Sequence, residues 1–225
     1  MEYLLDTANL EAIKKFNDYL PITGVTSNPS ILKSEGRIDF FSHMKEIRTI
    51  IGMDKTLHIQ VIAEDFEGIL KDTAAILKHV DEKVYVKIPV TLEGIKAIKT
   101  LKAQNVNVTA TAIYTQNQGF LAMEAGADFI APYYNRMENL NINPEEIIAS
   151  FAGMIQTYNY ATKILAASFK NIGQVNKAFI AGAQTATMSP TLIEAALFMP
   201  DITKAVEDFR ADWISVNGTV NISDL

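Results

Sequence analysis

Eight short apolar runs rich in β-branched residues alternate with stretches of helical spacing along the whole chain. This alternation constrains the fold more than any other feature of the sequence. The runs are Tyr3–Asp6, Ile22–Val25, Leu57–Ile62, Val84–Ile88, Val106–Ala112, Phe129–Ala131, Ile164–Ser168 and Thr185–Met188. Between them Leu10–Tyr19, Phe66–His79, Leu92–Ala103, Gln116–Ala125, Pro144–Tyr158 and Ile172–Ala181 repeat apolar residues at helical intervals. Strands that each lead into a helix predict a parallel α/β arrangement. Eight units in 225 residues come to about 28 residues each, the size of a compact (β/α)8 TIM barrel. A doubly wound open sheet is the alternative. No Gly-x-Gly-x-x-Gly follows the first run, which weakens a dinucleotide-binding version of it. No linker, repeat or composition shift divides the chain, so residues 1–225 are expected to form one barrel domain. A C-terminal helix and tail are expected at about 203–225.

On this fold the polar residues fall into order. Asp6 ends strand one, Thr26 and Asn28 follow strand two, and Gln60 lies late in strand three. Lys87 ends strand four, Thr109 and Thr111 lie on strand five, and Ala131, Tyr133 and Arg136 lie on or after strand six. Ser168 and Lys170 follow strand seven. The C-terminal ends of barrel strands converge on one face, where barrel enzymes carry their active sites. Any one of these residues is also a reasonable cap or turn former; Asn28 and Ser30, around Pro29, are adequate helix starters.

Lys87 carries the sharpest chemistry. It sits inside Val84-Tyr85-Val86-Lys87-Ile88-Pro89-Val90, a run that should be buried. Burying an ammonium is costly, and desolvation lowers an amine's pKa, leaving a neutral nucleophile able to form a Schiff base. The other reading is a strand-end lysine that snorkels to solvent. Asp6, Tyr133, Gln60 and Thr111 supply the carboxylate, phenol, amide and hydroxyl functions that Schiff-base chemistry needs for proton transfer and orientation. Tyr133 acting through a water is a candidate acid/base; a buried tyrosine is otherwise a core residue with one hydrogen bond. Arg136, Ser168 and Lys170 suit an anion site, or a structural ion pair and a solvated loop.

The composition excludes several classes. There are 26 acidic and 20 basic residues, a net charge of −6, and no basic run. Neither a nucleic acid nor an anionic membrane is therefore expected as a partner. The chain has no cysteine, which removes disulfides and thiolate-bound metals. His43, His58 and His79 are scattered and form no ligand pair, so no metal is expected; His58 reads as a core histidine and the other two as helix-surface residues. Met1–Asp6 has no positive region or long apolar stretch, and no run reaches the roughly 20 residues of a membrane span. The expected location is the cytoplasm.

Five segments, in order, match a known family: Leu5-Asp6-Thr7, Gly24-Val25-Thr26-Ser27-Asn28-Pro29-Ser30, Val86-Lys87-Ile88-Pro89-Val90-Thr91, Ala131-Pro132-Tyr133-Tyr134-Asn135-Arg136 and Leu165-Ala166-Ala167-Ser168-Phe169-Lys170. The chain resembles the transaldolase-like class I aldolases nearly end to end, most of all the branch acting on fructose 6-phosphate. The resemblance implies a (β/α)8 barrel and cofactor-free chemistry on small sugar phosphates and short ketones or aldehydes. Lys87 would form the Schiff base, and Tyr133 would move protons through a water held by Gln60 and Thr111. Asp6 and Asn28 would bind donor hydroxyls, in a substrate pocket that takes in Thr26, Thr109, Ala131 and Ser168. Arg136, Ser168 and Lys170 would take the phosphate. The alternative activity, transaldolase, goes with Glu, Phe and Ser at the positions of Gln60, Tyr133 and Ala131; this chain has the aldolase-like residue at all three. Thr109 departs from both, standing where transaldolases have Asn and the aldolase has Leu, which bears on the donor.

Val206, Phe209 and Trp213 share one helical face in Thr203–Ser215. On a monomer this stripe would pack on the barrel. The resemblance implies instead that the helix reaches a neighbour in a homo-oligomer, a pentameric ring or a decamer of two rings. The tail Val216–Leu225 is polar and expected to be mobile.

Overall fold

In the computed structural model, which describes residues 1–225, the eight runs form eight parallel strands closed into a barrel in sequence order. They are β1 (Glu2–Asp6), β2 (Ile22–Thr26), β3 (Thr56–Gln60), β4 (Tyr85–Pro89), β5 (Val108–Ile113), β6 (Phe129–Pro132), β7 (Lys163–Ala166) and β8 (Thr185–Met188). Ladder hydrogen bonds run from β1 to β2 and onward, and β8 closes on β1. The chain is a (β/α)8 barrel.

The helices are α1 (Leu10–Tyr19), α2 (Pro29–Ser34), α3 (Phe40–Ile51), α4 (Phe66–His79), α5 (Leu92–Lys102), α6 (Gln116–Glu124), α7 (Tyr134–Asn139), α8 (Pro144–Tyr158), α9 (Ile172–Ile180), α10 (Pro190–Leu197) and α11 (Pro200–Asn217). Most start on a side chain that accepts from the first turn, as Asn9, Asp39, Asp65, Thr91 and Asn171 do. Their apolar stripes cover the outer residues of the strands. Val25, Leu57, Ile59, Val86, Ile88, Val108, Ala110 and Ile130 pack there in one continuous core.

Strand residues of the other parity point into the barrel. Leu4, Phe129 and Leu165 form a small apolar cluster low in the interior, with Tyr85 against it. His58 stacks on Tyr85, at a ring separation of 4.9 Å, and meets the edge of Phe129. Above this plug the interior turns polar, and that polar end faces the C-terminal ends of the strands.

The C-terminal segment stands off the barrel. The apolar stripe of α11 does not pack on the barrel: none of its residues is buried, and Val206 and Phe209 are 60% and 71% exposed. The tail folds back onto its own helix. Trp213 Nε1 donates to the Val220 carbonyl at 2.7 Å, and Ile222–Asp224 forms a 3-10 turn. No helix is long and apolar enough to cross a membrane.

Candidate active site

A cavity of about 300 Å³ opens at the C-terminal end of the barrel, lined by Asp6, Asn28, Pro29, Ser30, Gln60, Lys87, Ala112, Tyr133, Arg136, Ala167 and Ser168. Lys87 lies in the middle of β4 rather than at its end. It points inward and is only 4% exposed. Its Nζ donates to the Ser27 carbonyl at 3.0 Å. No carboxylate pairs with it directly. Burial therefore holds its pKa below the usual amine value, and nearby Asp6 opposes the shift only in part. The snorkelling reading fails, because the side chain ends inside the barrel.

Asp6 faces the same cavity. Burial pushes its carboxyl up, against the pull of Lys87 and of Thr26. Thr26 Oγ1 donates to Asp6 Oδ1 at 2.6 Å and also lies 2.6 Å from Thr187 Oγ1. A hydroxyl has one proton to give, so with Asp6 accepting from Thr26, Thr187 donates to Thr26. Thr187 was not anticipated from sequence. It lies inside β8 at the same parity as Thr185, and a threonine in a strand ordinarily reads as β-propensity.

Tyr133 follows β6. Its hydroxyl is 3.0 Å from Thr111 Oγ1. Burial raises the phenol's pKa, so it stays protonated at neutral pH. Arg136 is exposed, with its guanidinium 4.7 Å over the Tyr133 ring. Its Nη1 donates to the hydroxyl of Tyr114 at 3.2 Å. Tyr114 was also not anticipated. β5 carries one residue more than β6 between the pairs Ala110↔Ile130 and Ile113↔Pro132, and Ala112 there has φ 58. This bulge reverses the pleat. Thr111 faces the interior below it, and Tyr114 reaches the mouth above it.

The loops after β6 and β7 are joined. Tyr134 N donates to the Ala167 carbonyl at 2.9 Å and Asn135 N to that of Ser168 at 3.0 Å. Ser168 adopts φ 65, left-handed backbone uncommon for a non-glycine residue. Strained backbone of this kind clusters at functional sites, and both Ala112 and Ser168 line the cavity.

Other expected residues lie elsewhere. Thr109 is fully buried and off the cavity wall; its Oγ1 is 2.8 Å from His58 Nδ1. His58 Nε2 in turn meets Thr56 Oγ1 at 2.9 Å. Gly24 makes that possible, since a Cβ there would sit 2.1 Å from Thr56 Oγ1. Burial and the Lys87 charge hold His58 well below its ordinary pKa, so the imidazole is neutral. Ala131 is buried on β6 outside the lining. Lys170 is exposed, and only its backbone N–H is bonded, to Gln174. Asn28 caps α2 through Oδ1 while lining the cavity. Gln60 keeps a buried Oε1 without a partner. His43 is no simple surface residue, since its Nε2 contacts the Ala8 carbonyl at 2.7 Å; His79 is exposed. Tyr134 is packing: it is buried against Phe169, with its hydroxyl 3.3 Å from Glu145.

A larger groove of about 830 Å³ adjoins the cavity across Gln60 and Pro29. It carries Glu64 and Glu93 and no cation. The two sides of the mouth thus differ in charge: carboxylates on the Gln60 side, Arg136 on the other.

The model of the transaldolase/fructose-6-phosphate aldolase family matches residues 3–220. A "probable fructose-6-phosphate aldolase" of Streptococcus pneumoniae is 51% identical over 222 residues, 99% of this chain and 100% of the relative. "Probable transaldolases" of Bartonella quintana and Brucella anthropi are 35% and 37% identical, each over 95% of this chain and 96% of its own.

Proposed function

The chain belongs to the transaldolase/fructose-6-phosphate aldolase family, and from that premise we propose that it cleaves fructose 6-phosphate reversibly to dihydroxyacetone and glyceraldehyde 3-phosphate. The neutral form of the Lys87 amine, favoured by burial, adds to the C2 carbonyl and expels water, giving an imine whose protonated form is the electron sink. A base takes the C4 hydroxyl proton, the C3–C4 bond breaks, and its electrons pass into the imine as an enamine. The aldehyde half leaves with its phosphate. A proton then returns to C3, and water hydrolyses the imine to release dihydroxyacetone and free Lys87.

The observation that carries this reading is an amine with no ion-pair partner, buried in the floor of the cavity, with a protonated phenol at the wall. In this reading Tyr133 moves both protons through a water held by Gln60 and Thr111, and the unpartnered Gln60 Oε1 is the acceptor that such a water or a substrate hydroxyl would engage. Asp6, ordered by Thr26, and Asn28 bind donor hydroxyls. The phosphate lies toward Arg136 and Ser168, away from the carboxylates of the neighbouring groove. The reading extends to a cytoplasmic homo-oligomer.

A transaldolase on the same residues would keep the enamine until an aldose phosphate arrives. A phenol able to protonate C3 favours release instead. The test is glyceraldehyde 3-phosphate release from fructose 6-phosphate, with and without erythrose 4-phosphate. Release without acceptor is expected; release only with it makes the protein a transaldolase. Borohydride with a ketose should trap an adduct on Lys87, and an adduct that survives Lys87→Ala would overturn the mechanism.

A further inference from the structure

We propose that Tyr114 is a positioning residue that fixes the direction of Arg136, and so sets the preference for phosphorylated over unphosphorylated aldehydes. The inference rests on the reading of Arg136 as the phosphate group's partner.

Arg136 is exposed, and an exposed arginine has many rotamers to lose when it captures an anion. Two contacts restrict it here. Its guanidinium lies over the Tyr133 ring, and one N–H is spent on the Tyr114 hydroxyl. Together they leave the guanidinium's other donors free for an anion at the mouth. Tyr114 is itself held. Its backbone N–H donates to Gln118 Oε1 at 2.8 Å, and Gln118 also closes the capping box of α6 with Thr115. Its ring meets Tyr133 edge-on, with centroids 5.7 Å apart. Tyr114 does not line the cavity, so it acts through these neighbours and does not touch substrate. The bulge at Ala112 is what brings it there: if the strand alternated regularly from Thr111 onward, position 114 would take the opposite face.

The experiment compares the parent, Tyr114→Phe, Arg136→Leu and the double variant. The substrates are dihydroxyacetone with either glyceraldehyde 3-phosphate or glyceraldehyde. Tyr114→Phe keeps the ring and removes only the hydroxyl. KM for glyceraldehyde 3-phosphate is expected to rise about fivefold, the scale of one ordinary hydrogen bond at an open site. KM for glyceraldehyde and kcat with either aldehyde should stay within about twofold. In the Arg136→Leu background the Tyr114 change should add nothing. Equal effects on both aldehydes, no effect at all, or an undiminished effect in the Arg136→Leu background would each overturn the proposal. Loss of phosphate preference in Arg136→Leu but not in Tyr114→Phe overturns this proposal alone. Retention of that preference in Arg136→Leu overturns the reading of Arg136 together with it. Binding of inorganic phosphate, read by calorimetry, reports the same pair without turnover: it should weaken in both single variants, and equal affinity in Tyr114→Phe and parent also overturns the proposal.

Discussion

Lys87→Met should abolish activity and make the protein more stable. In the parent, folding takes the Lys87 ammonium out of water into a site where one carbonyl, that of Ser27, is its hydrogen-bond partner and no carboxylate touches it. The effective penalty for burying an ion this way is several kcal/mol, say about 4. Against it stand the charge-assisted bond to Ser27, about 2 kcal/mol, and a modest gain from Asp6. Methionine is a similar unbranched chain that fills the space without the charge. It leaves the Ser27 carbonyl unpaired, and Asp6, already pushed up by burial, rises further and protonates more readily. The net gain is at most about 2 kcal/mol, and for a chain of this length each kcal/mol moves Tm by about 2–4 °C, so Tm should rise, by no more than about 4–8 °C. The sign with pH follows from linkage. The folded pKa of Lys87 lies below its unfolded value of about 10.4, so between the two the unfolded parent binds more protons, and the parent gains stability as pH rises. The variant has no such proton to lose. Its advantage is therefore largest below the folded pKa and shrinks as pH climbs toward the unfolded one. Calorimetric or urea unfolding of both proteins from pH 7 upward gives the comparison. A variant less stable than the parent, with a gap that does not change with pH, would refute the view of Lys87 as a desolvated amine.

Tyr133→Phe removes the phenol bonded to Thr111 and should slow dihydroxyacetone release about 10²–10⁴-fold, and slow transfer to erythrose 4-phosphate less, because transfer omits the protonation at C3; an unchanged ratio of release to transfer counts against Tyr133 as the proton source. Thr187→Val removes the donor behind Thr26 and should raise KM for the ketose about threefold, less than the roughly tenfold expected of Thr26→Val, which strips the bond to Asp6 itself; the reverse order in steady-state kinetics would break the proposed chain of hydroxyls. His58→Phe leaves Thr109 and Thr56 without their partner and should cost about 1–3 kcal/mol in urea unfolding, with much of it recovered when Thr109→Val is added; strictly additive losses would show that the pair is not coupled.

The eight strands were legible because Val, Ile and Thr crowd into short runs, and each run became a strand within a residue or two of its expected bounds. The segment between β2 and β3 was harder. It holds α2 and α3, yet only the capping residues around Pro29 stood out, because α2 is six residues long and Phe40-Phe41 at the start of α3 obscures its stripe. In the site, Lys87 announced itself by the cost of burying its charge. Parity put Gln60 above His58 and Thr111 above Thr109, but it could not say that Thr109 turns to His58 and leaves the cavity wall. Tyr114 and Thr187 were invisible for different reasons. Thr187 looks like any strand threonine until Thr26 is seen beside it. Tyr114 depends on Ala112 adopting a left-handed φ, which nothing in an alanine side chain signals.

That single alanine also divides the barrel into two parts free to change separately. Insertions and deletions in a strand normally shift every later side chain from one face to the other, but here the shift is already built in and ends after four residues at the start of α6. Substitutions at and below Thr111 alter the surroundings of the amine. Those at Tyr114 and beyond alter how the outgoing or incoming aldehyde is met. A lineage, or an engineer, can therefore change which aldehydes are accepted by working above Ala112 without disturbing the carbonyl chemistry beneath it. Deleting Ala112 itself would restore regular alternation, with Thr111 and Tyr114 both still on the inward face, so it would remove the left-handed backbone and leave the two parts where they are.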